Sequence, residues 1–357
     1  MARQLDAYRL LGRSGLRVSP LALGTMTFGV KAAWGSTDED AARILDIFIE
    51  RGGNFVDTAN FYAAGASEEV LGRLMGDRRE RLVVSTKYSL TTRPGDPNAS
   101  GNHRKSMVRA VEDSLRRLGT DYIDLLYLHM WDFRTPVEEI LRAFDDLIRT
   151  GKLLYAGLSD LPAWQAARMQ EIAEIRGWSP IVALQLSYSL IERTPERDLI
   201  PMAREMGMGV SPWSPLGGGV LSGKYSEKDL AGACEGAGSR KAINAASGRL
   251  SARNLAIAGQ VKAVAEEIGR TPAQVALAWV LAMPAVVSPV LGVRTPAQLE
   301  DNLAALEIDF SDEQRAALDE ASRIELGFPH DLLAGPMQRM VFGNVTVERR
   351  DRESSCQ

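Results

Sequence analysis

The nine residues NFVDTANFY, Asn54 to Tyr62, carry the reading of the fold. A short apolar run ends abruptly in an aspartate, and five residues later comes a tyrosine. Runs of the same kind recur along the chain. The candidate strands are LALGT (Leu21–Thr25), NFVDT (Asn54–Thr58), LVVSTK (Leu82–Lys87), IDLLYLH (Ile123–His129), LLYAGLS (Leu153–Ser159), VALQLS (Val182–Ser187), MGVSPW (Met208–Trp213) and VVSPVLG (Val286–Gly292). Such short, largely apolar runs suit strands covered on both faces.

Amphipathic stretches separate them. TDEDAARILDIFIERG has Thr37 as its N-cap and Glu39 and Asp40 in its first turn, and closes on Gly52 and Gly53. SMVRAVEDSLRRLG, TPVEEILRAFDDLIRTG and LPAWQAARMQEIAEIRG read alike, with Pro136 and Pro162 where a first helical turn tolerates proline. Strand–helix alternation repeated eight times predicts an α/β fold, a closed parallel (β/α)8 barrel of the TIM type. From rhythm alone, an open doubly wound sheet is the alternative. YRLLGRSGLRVS (Tyr8–Ser19) reads as an N-terminal β-hairpin around Gly12 to Gly15. Long loops are expected at the carboxyl end of the barrel, chiefly from Ser214 to about Leu250, which has no apolar period. Residues 1–325 are expected to form the barrel domain and residues 326–357 a C-terminal tail.

Composition sets the broad class. The 357 residues are 45% hydrophobic and 25% charged, with a net charge of −4, so no overall basic field favours nucleic acid. Cys234 and Cys356 have neither metal-ligand spacing nor the makings of a disulfide framework, and no metal is expected. The opening MARQLDAYRL lacks the apolar segment of a secretory signal, and a cytoplasmic protein is expected. The uncharged stretch Thr271–Val293 reaches membrane-spanning length, but Pro284 and Pro289 divide it; it reads as a helix followed by a buried strand. No membrane partner follows.

Active sites of parallel barrels form at the carboxyl ends of the strands. The second run ends in Asp57, the third in Lys87, and the fourth in His129. The fifth ends in Ser159 and Asp160, the sixth carries Gln185, and the seventh ends in Trp213. Singly, each has a bland explanation: a turn cap, a solvated lysine, a structural histidine. Together, on consecutive strand ends, they describe a pocket. His103 opens a helical pattern and His330 lies in the tail, so neither joins it. An unperturbed phenol such as Tyr62 has a pKa of about 10, which a nearby ammonium lowers. Asp57, Lys87 and Tyr62 are the residue types of a proton relay, and His129 can orient a substrate oxygen. Hydride must come from elsewhere, most simply a reduced nicotinamide.

These residues resemble the aldo/keto reductase family. The resemblance spans roughly Tyr8 to Ile324 and rests on FVDTANFY, VVSTKYS and LLYLHMWD, which match the family's catalytic positions at Asp57, Tyr62, Lys87 and His129. The wording GLSDLPAW is closest to the aryl-alcohol dehydrogenase-like branch. The family is similar in using NADPH without a Rossmann domain, and the chain has no G-x-G-x-x-G. The resemblance implies cofactor contacts from Thr25 and Met26, from Asp57, and from Ser159, Asp160 and Gln185 at the carboxamide, with Trp213 stacked on the nicotinamide. Asparagine is common where Asp160 stands. In SPWSPLGGGVLSGKY the resemblance places Ser214, Pro215, Leu216, Gly218 and Lys224 against the pyrophosphate. Gly218 to Lys224 also spell most of a Walker loop, but Tyr225 replaces the hydroxyl residue that would ligate magnesium. In VLGVRTPAQLEDNL, the resemblance assigns Gly292, Arg294, Gln298, Asp301 and Asn302 to the adenosine end, with Asp301 where glutamate is usual. Arg294 suits a 2′-phosphate, favouring NADPH over NADH.

The expected activity is reversible reduction of a small-molecule aldehyde or ketone, with Tyr62 as the acid. Two alternatives stand beside it: a keto-sugar reductase of secondary metabolism, and a cofactor-binding sensor similar to potassium-channel beta subunits. Trp34, Tyr88 and Trp131 are candidates for an aromatic substrate wall.

Overall fold

A computed structural model describes residues 4–32, 34–231, 239–343 and 345–346. Cys234, Cys356 and the charged end 347–357 lie outside the described residues. An antiparallel pair, β1 (Arg9–Leu10) and β2 (Arg17–Val18), comes first. Eight parallel strands follow: β3 (Ala22–Gly24), β4 (Phe55–Asp57), β5 (Val83–Tyr88), β6 (Ile123–Leu128), β7 (Leu153–Ser159), β8 (Ile181–Ser187), β9 (Gly209–Trp213) and β10 (Val290–Gly292). Their spatial order is β10-β3-β4-β5-β6-β7-β8-β9. Val210 of β9 bridges Val286, just ahead of β10, and brings the two sheet edges together into the expected barrel.

The helices α1 (Asp38–Glu50), α2 (Ala66–Met75), α3 (Arg104–Leu118), α4 (Val137–Arg149), α5 (Ala163–Arg176) and α6 (Leu199–Met206) follow β3 to β8 in turn. Their ends are set locally. Thr37 accepts from the Asp40 amide at 3.0 Å and three acidic residues fill the first turn of α1, where they complement the helix dipole. His103 caps α3, its Nδ1 accepting from the Ser106 amide. Glycines 119, 177 and 207 end α3, α5 and α6 in the left-handed conformation.

Between β9 and β10 the structure departs from the sequence expectation. The stretch read as a loop contains a tight helical turn (Gly217–Ser222), α7 (Lys228–Ala231) and α8 (Arg240–Ala246). These pieces are too short to show a helical period, and their Gly, Ala and Ser content masks them. Then come α9 (Ala252–Glu267) and α10 (Pro272–Leu281), and after β10, α11 (Pro296–Leu303) and α12 (Asp312–Ala321). The uncharged stretch from Thr271 thus divides as expected into a helix and a strand. Among the described residues no helix is long and apolar enough to cross a membrane. The barrel unit runs to Ser322; a second unit begins at Arg323 and contains α13 (His330–Ala334) and α14 (Met337–Val341).

Two apolar clusters build the barrel unit. The larger lies between strands and helices; the smaller lines the barrel interior with Phe55, Val83, Leu125, Tyr127 and Val182. Leu11 and Val18 of the hairpin are fully buried in that inner cluster. Arg9 donates to the carbonyls of Val286 and Val287, and the Arg13 amide to Gly207, so the hairpin seals the amino-terminal mouth. The turn requires Gly12. Its φ is +57°, and a Cβ there would lie 2.2 Å from the Val182 carbonyl oxygen.

Gly119 offers a control, with φ of +64° and open space around the missing Cβ. In urea denaturation, Gly119→Ala is expected to cost about 1 kcal/mol from backbone strain alone. Gly12→Ala adds the steric conflict and is expected to cost clearly more, by about 2 kcal/mol or greater. Equal costs would show that the hairpin seal is not tightly packed.

Candidate active site

Strand parity delivers the polar residues. Along β5, Val83, Ser85 and Lys87 face the barrel axis, while Val84, Thr86 and Tyr88 face the helices. Asp57 closes β4 and His129 follows β6, both at the carboxyl end. Lys87 is 1% exposed. Its Nζ donates to Asp57 Oδ2 at 2.6 Å, to the Thr58 carbonyl at 2.8 Å and to the Tyr62 hydroxyl at 3.3 Å. Three acceptors therefore answer the three ammonium protons. The Tyr62 and His129 rings meet edge to face, 6.0 Å apart.

Charge and burial compete at each of these groups. Burial pushes Lys87 down, but Asp57 and then Tyr62 more than offset it, leaving the ammonium above its ordinary range. For Tyr62 burial is the largest influence and pushes the phenol up. Lys87 pulls it back, but the net shift remains upward. The ammonium does lower the phenol as expected, but desolvation is the larger influence. His129 is lowered to about 3, first by burial and then by Lys87, so its imidazole is neutral at physiological pH.

The loop that presents Tyr62 is unusual. Ala63, Ala64 and Gly65 have φ of 48°, 55° and 100°. Two consecutive alanines in the left-handed region cost about 1 kcal/mol each or more. The Asn60 amide donates to the Lys87 carbonyl and Thr58 to that of Ser85, which ties the loop's start to β5.

The residues assigned to a cofactor by resemblance separate into groups. Ser159 is buried, and its hydroxyl has no hydrogen-bond partner among the described residues. Asp160, with φ of 46°, accepts from the Trp213 indole at 3.1 Å, and Gln185 donates to Asp57 Oδ1 at 2.9 Å. Both side chains thus have partners inside the protein as well. Thr25 is fully buried, with its hydroxyl near the Asp57 carbonyl and Ser67, whereas Met26 is exposed at the rim. Ser214, Pro215 and Leu216 lead into the helical turn, where Gly218 and Gly219 have positive φ. Asn244 of α8 donates to the Gly218 carbonyl, and a Cβ on Gly219 would meet Lys224 Nζ at 2.8 Å. Lys224 is pushed below its ordinary value by burial, then by Arg294 and Arg240. Cations gathered this closely favour an anion among them. Gly292 ends β10 in the open, and Gln298 accepts from the Arg294 amide. Asn302 is buried. Both Asp301 oxygens are already engaged, by Gln274 of α10 and by Thr271.

A model of the aldo/keto reductase family matches residues 20–323. The norsolorinic acid reductase stcV of Emericella nidulans is 38% identical over 344 residues, covering 94% of this chain and 86% of the relative. The chain belongs to the aldo/keto reductase family. An uncharacterized oxidoreductase of Bacillus subtilis, YrpG, is 41% identical over 86% of this chain and 93% of its own length. An aryl-alcohol dehydrogenase of Pestalotiopsis microspora is 38% identical over 92% and 85%. The protein is thus an oxidoreductase of a family that acts on small carbonyl compounds with NADH or NADPH.

For an aldo/keto reductase, several neighbours of the site were not legible in its motifs. Arg240 lies 5.3 Å over the Trp34 ring and Arg249 5.5 Å over that of Trp213, extending the cation cluster toward the pocket. Both come from the segment without periodicity. Ser85 donates to Asp57 and was legible from parity, two residues before Lys87 on the same face of β5. Tyr88 is corrected: it faces outward, fully buried, with its hydroxyl on the Asn102 carbonyl and its ring against Phe144. Trp131 is buried beside the exposed Phe133, while Trp34 serves the cation cluster. A surface hollow of about 610 Å³ between α2 and α3 is separate from this site. Arg73, Arg93 and Arg117, in its lining, pair with Asp38, Asp113 and Glu68.

His129 makes a pH prediction. An unfolded histidine titrates near 6.5 and the folded one near 3, so protons favour the unfolded chain between those values. Its contribution to stability is complete above pH 6.5 and is lost as pH falls toward 3. In His129→Gln the urea midpoint is expected to fall less steeply across that window; an unchanged slope counts against a neutral, buried imidazole.

Proposed function

We propose that this protein is an NADPH-dependent reductase of aldehydes and ketones in which Tyr62 is the proton donor. The observation that carries the reading is the Lys87 ammonium, held by Asp57 and within 3.3 Å of the Tyr62 hydroxyl beside a neutral His129. The buried, unpartnered Ser159 hydroxyl and the cluster of Lys224, Arg240 and Arg294 fit a dinucleotide with an amide at one end and phosphates at the other. Arg294 favours a 2′-phosphate through its guanidinium geometry.

In this reading Ser159 holds the carboxamide, Trp213 offers a ring face, and the glycine turn with Lys224 meets the pyrophosphate. A reduced nicotinamide held there would supply the hydride that the carbonyl carbon needs. Tyr62 gives its proton to the carbonyl oxygen as that atom gains negative charge. The raised phenol needs help to release it, and the Lys87 ammonium stabilises the phenolate left behind. Asp57 keeps Lys87 charged and in place. A neutral imidazole retains one N–H, so His129 donates a hydrogen bond to the oxygen without competing as an acid. Phe61, Met130 and Phe133 are exposed on the loops after β4 and β6, and Phe133 packs edge to face on Trp131, which offers apolar surface near the site. That apolar surface, and the names of the norsolorinic acid and aryl-alcohol relatives, favour flat aromatic carbonyl substrates.

With 4-nitrobenzaldehyde as substrate, Tyr62→Phe is expected to lower kcat by about 100-fold or more while NADPH still binds. Near-wild-type turnover in that variant would remove Tyr62 from the role of acid. Arg294→Ala is expected to raise KM for NADPH about 10- to 100-fold and leave KM for NADH nearly unchanged; a parallel rise for both cofactors would refute the 2′-phosphate assignment.

A further inference from the structure

The relay from Asp57 through Lys87 to Tyr62 has a foundation beneath it. Asp57 is 1% exposed, and its two oxygens have different partners. Oδ2 faces Lys87 at 2.6 Å. Oδ1 accepts from Ser85 Oγ at 2.8 Å and from Gln185 Nε2 at 2.9 Å. Ser85 comes from the neighbouring strand β5 and Gln185 from across the barrel on β8, 128 residues away in sequence. Both donors are themselves buried, at 0% and 2% exposure. The Tyr127 and Ser211 hydroxyls close off the same interior, and burial pushes the Tyr127 phenol far up, so it stays neutral next to the carboxylate. The carboxylate is therefore gripped through one oxygen from two directions, and its other oxygen is left aimed at the ammonium.

We propose that Ser85 and Gln185 are positioning residues that fix the Asp57 carboxylate and, through the field it presents, set how readily Tyr62 exchanges its proton. The inference rests on the reading of Tyr62 as the acid. A hydrogen bond donated to a carboxylate disperses its charge. Without the Ser85 donor, Asp57 presents a more negative field to Tyr62, which already feels that field together with those of Lys87 and Asp160. His129, the remaining titratable neighbour, is neutral and contributes no charge. The phenolate is then harder to form. Ser85 is two residues below Lys87, on the floor of the site rather than at its rim, and none of the cofactor assignments includes it.

The test is the pH dependence of 4-nitrobenzyl alcohol oxidation with NADP+, the direction that needs the phenolate. In Ser85→Ala the basic rise in kcat is expected to move upward by about half to one pH unit, the size that loss of one charge-assisted hydrogen bond implies after partial transmission. The dissociation constant for NADPH is expected to stay within about twofold, because Ser85 does not reach the cofactor. Gln185→Leu is expected to give the same upward move with weaker NADPH binding in addition. A rise that persists in Tyr62→Phe overturns the acid assignment and this inference with it. A rise that disappears in Tyr62→Phe yet stays put in Ser85→Ala overturns this inference alone. If Ser85→Ala does not fold, Ser85→Cys retains a weak donor and is expected to move the rise upward by less; no movement there overturns the proposal equally.

Discussion

An ammonium ion enclosed in protein needs its charge answered on every side, and the architecture around Lys87 follows from that need. Desolvating an unpaired charge costs several kcal/mol, and removing one partner of a buried ion pair typically costs about 3–5 kcal/mol. Here the answer comes from three directions: the Asp57 carboxylate, the Thr58 carbonyl and the Tyr62 hydroxyl. None of these is available unless β4 and β5 pair in the observed register, which sets Asp57 opposite Ser85. A slip of one residue would turn Lys87 toward the helices and bring Val84 and Tyr88 into the barrel in its place. Stability of the barrel and readiness of the site are consequently two aspects of one contact.

The second charged region obeys a different logic. Lys87 is neutralised internally, whereas Lys224, Arg240 and Arg294 oppose one another. The mutual repulsion is tolerable because these groups are only partly buried, where water screens them. Trp34 and Trp213 lend π-faces to Arg240 and Arg249, which holds two guanidinium groups in place without introducing an anion. One end of the pocket thus has its charge answered in full, while at the other Lys224 and Arg240 feel their cationic neighbours.

Much of this was legible because barrel strands are regular. Apolar runs ending in Asp57, Lys87 and His129 identified both the strands and the rim, and the same two-residue parity identifies Ser85 as an inward neighbour. What escaped notice lies where regularity fails. α7 and α8 are too short for periodicity to register, so Arg240 and Asn244 could not be located. Tyr88 was misjudged because an aromatic residue after a rim lysine looks like pocket lining, although parity turns it outward against Phe144. The pull of Lys87 on Tyr62 was legible in the residue types, but the net upward shift was not, because residue types reveal partners and not solvent exclusion.

The left-handed turn at Ala63, Ala64 and Gly65 has a consequence for how the phenol is held. Relaxed backbone would leave Tyr62 at the end of a loop free to choose among several orientations. Here two alanines adopt a conformation that an unfolded chain seldom visits, and they keep it because the Lys87 contact and the ties to β5 overrule the local preference. The strain is borne once, when the chain folds, and is not incurred again at each turnover. Orientation of the hydroxyl is in this sense a stored product of folding, ready before any substrate arrives.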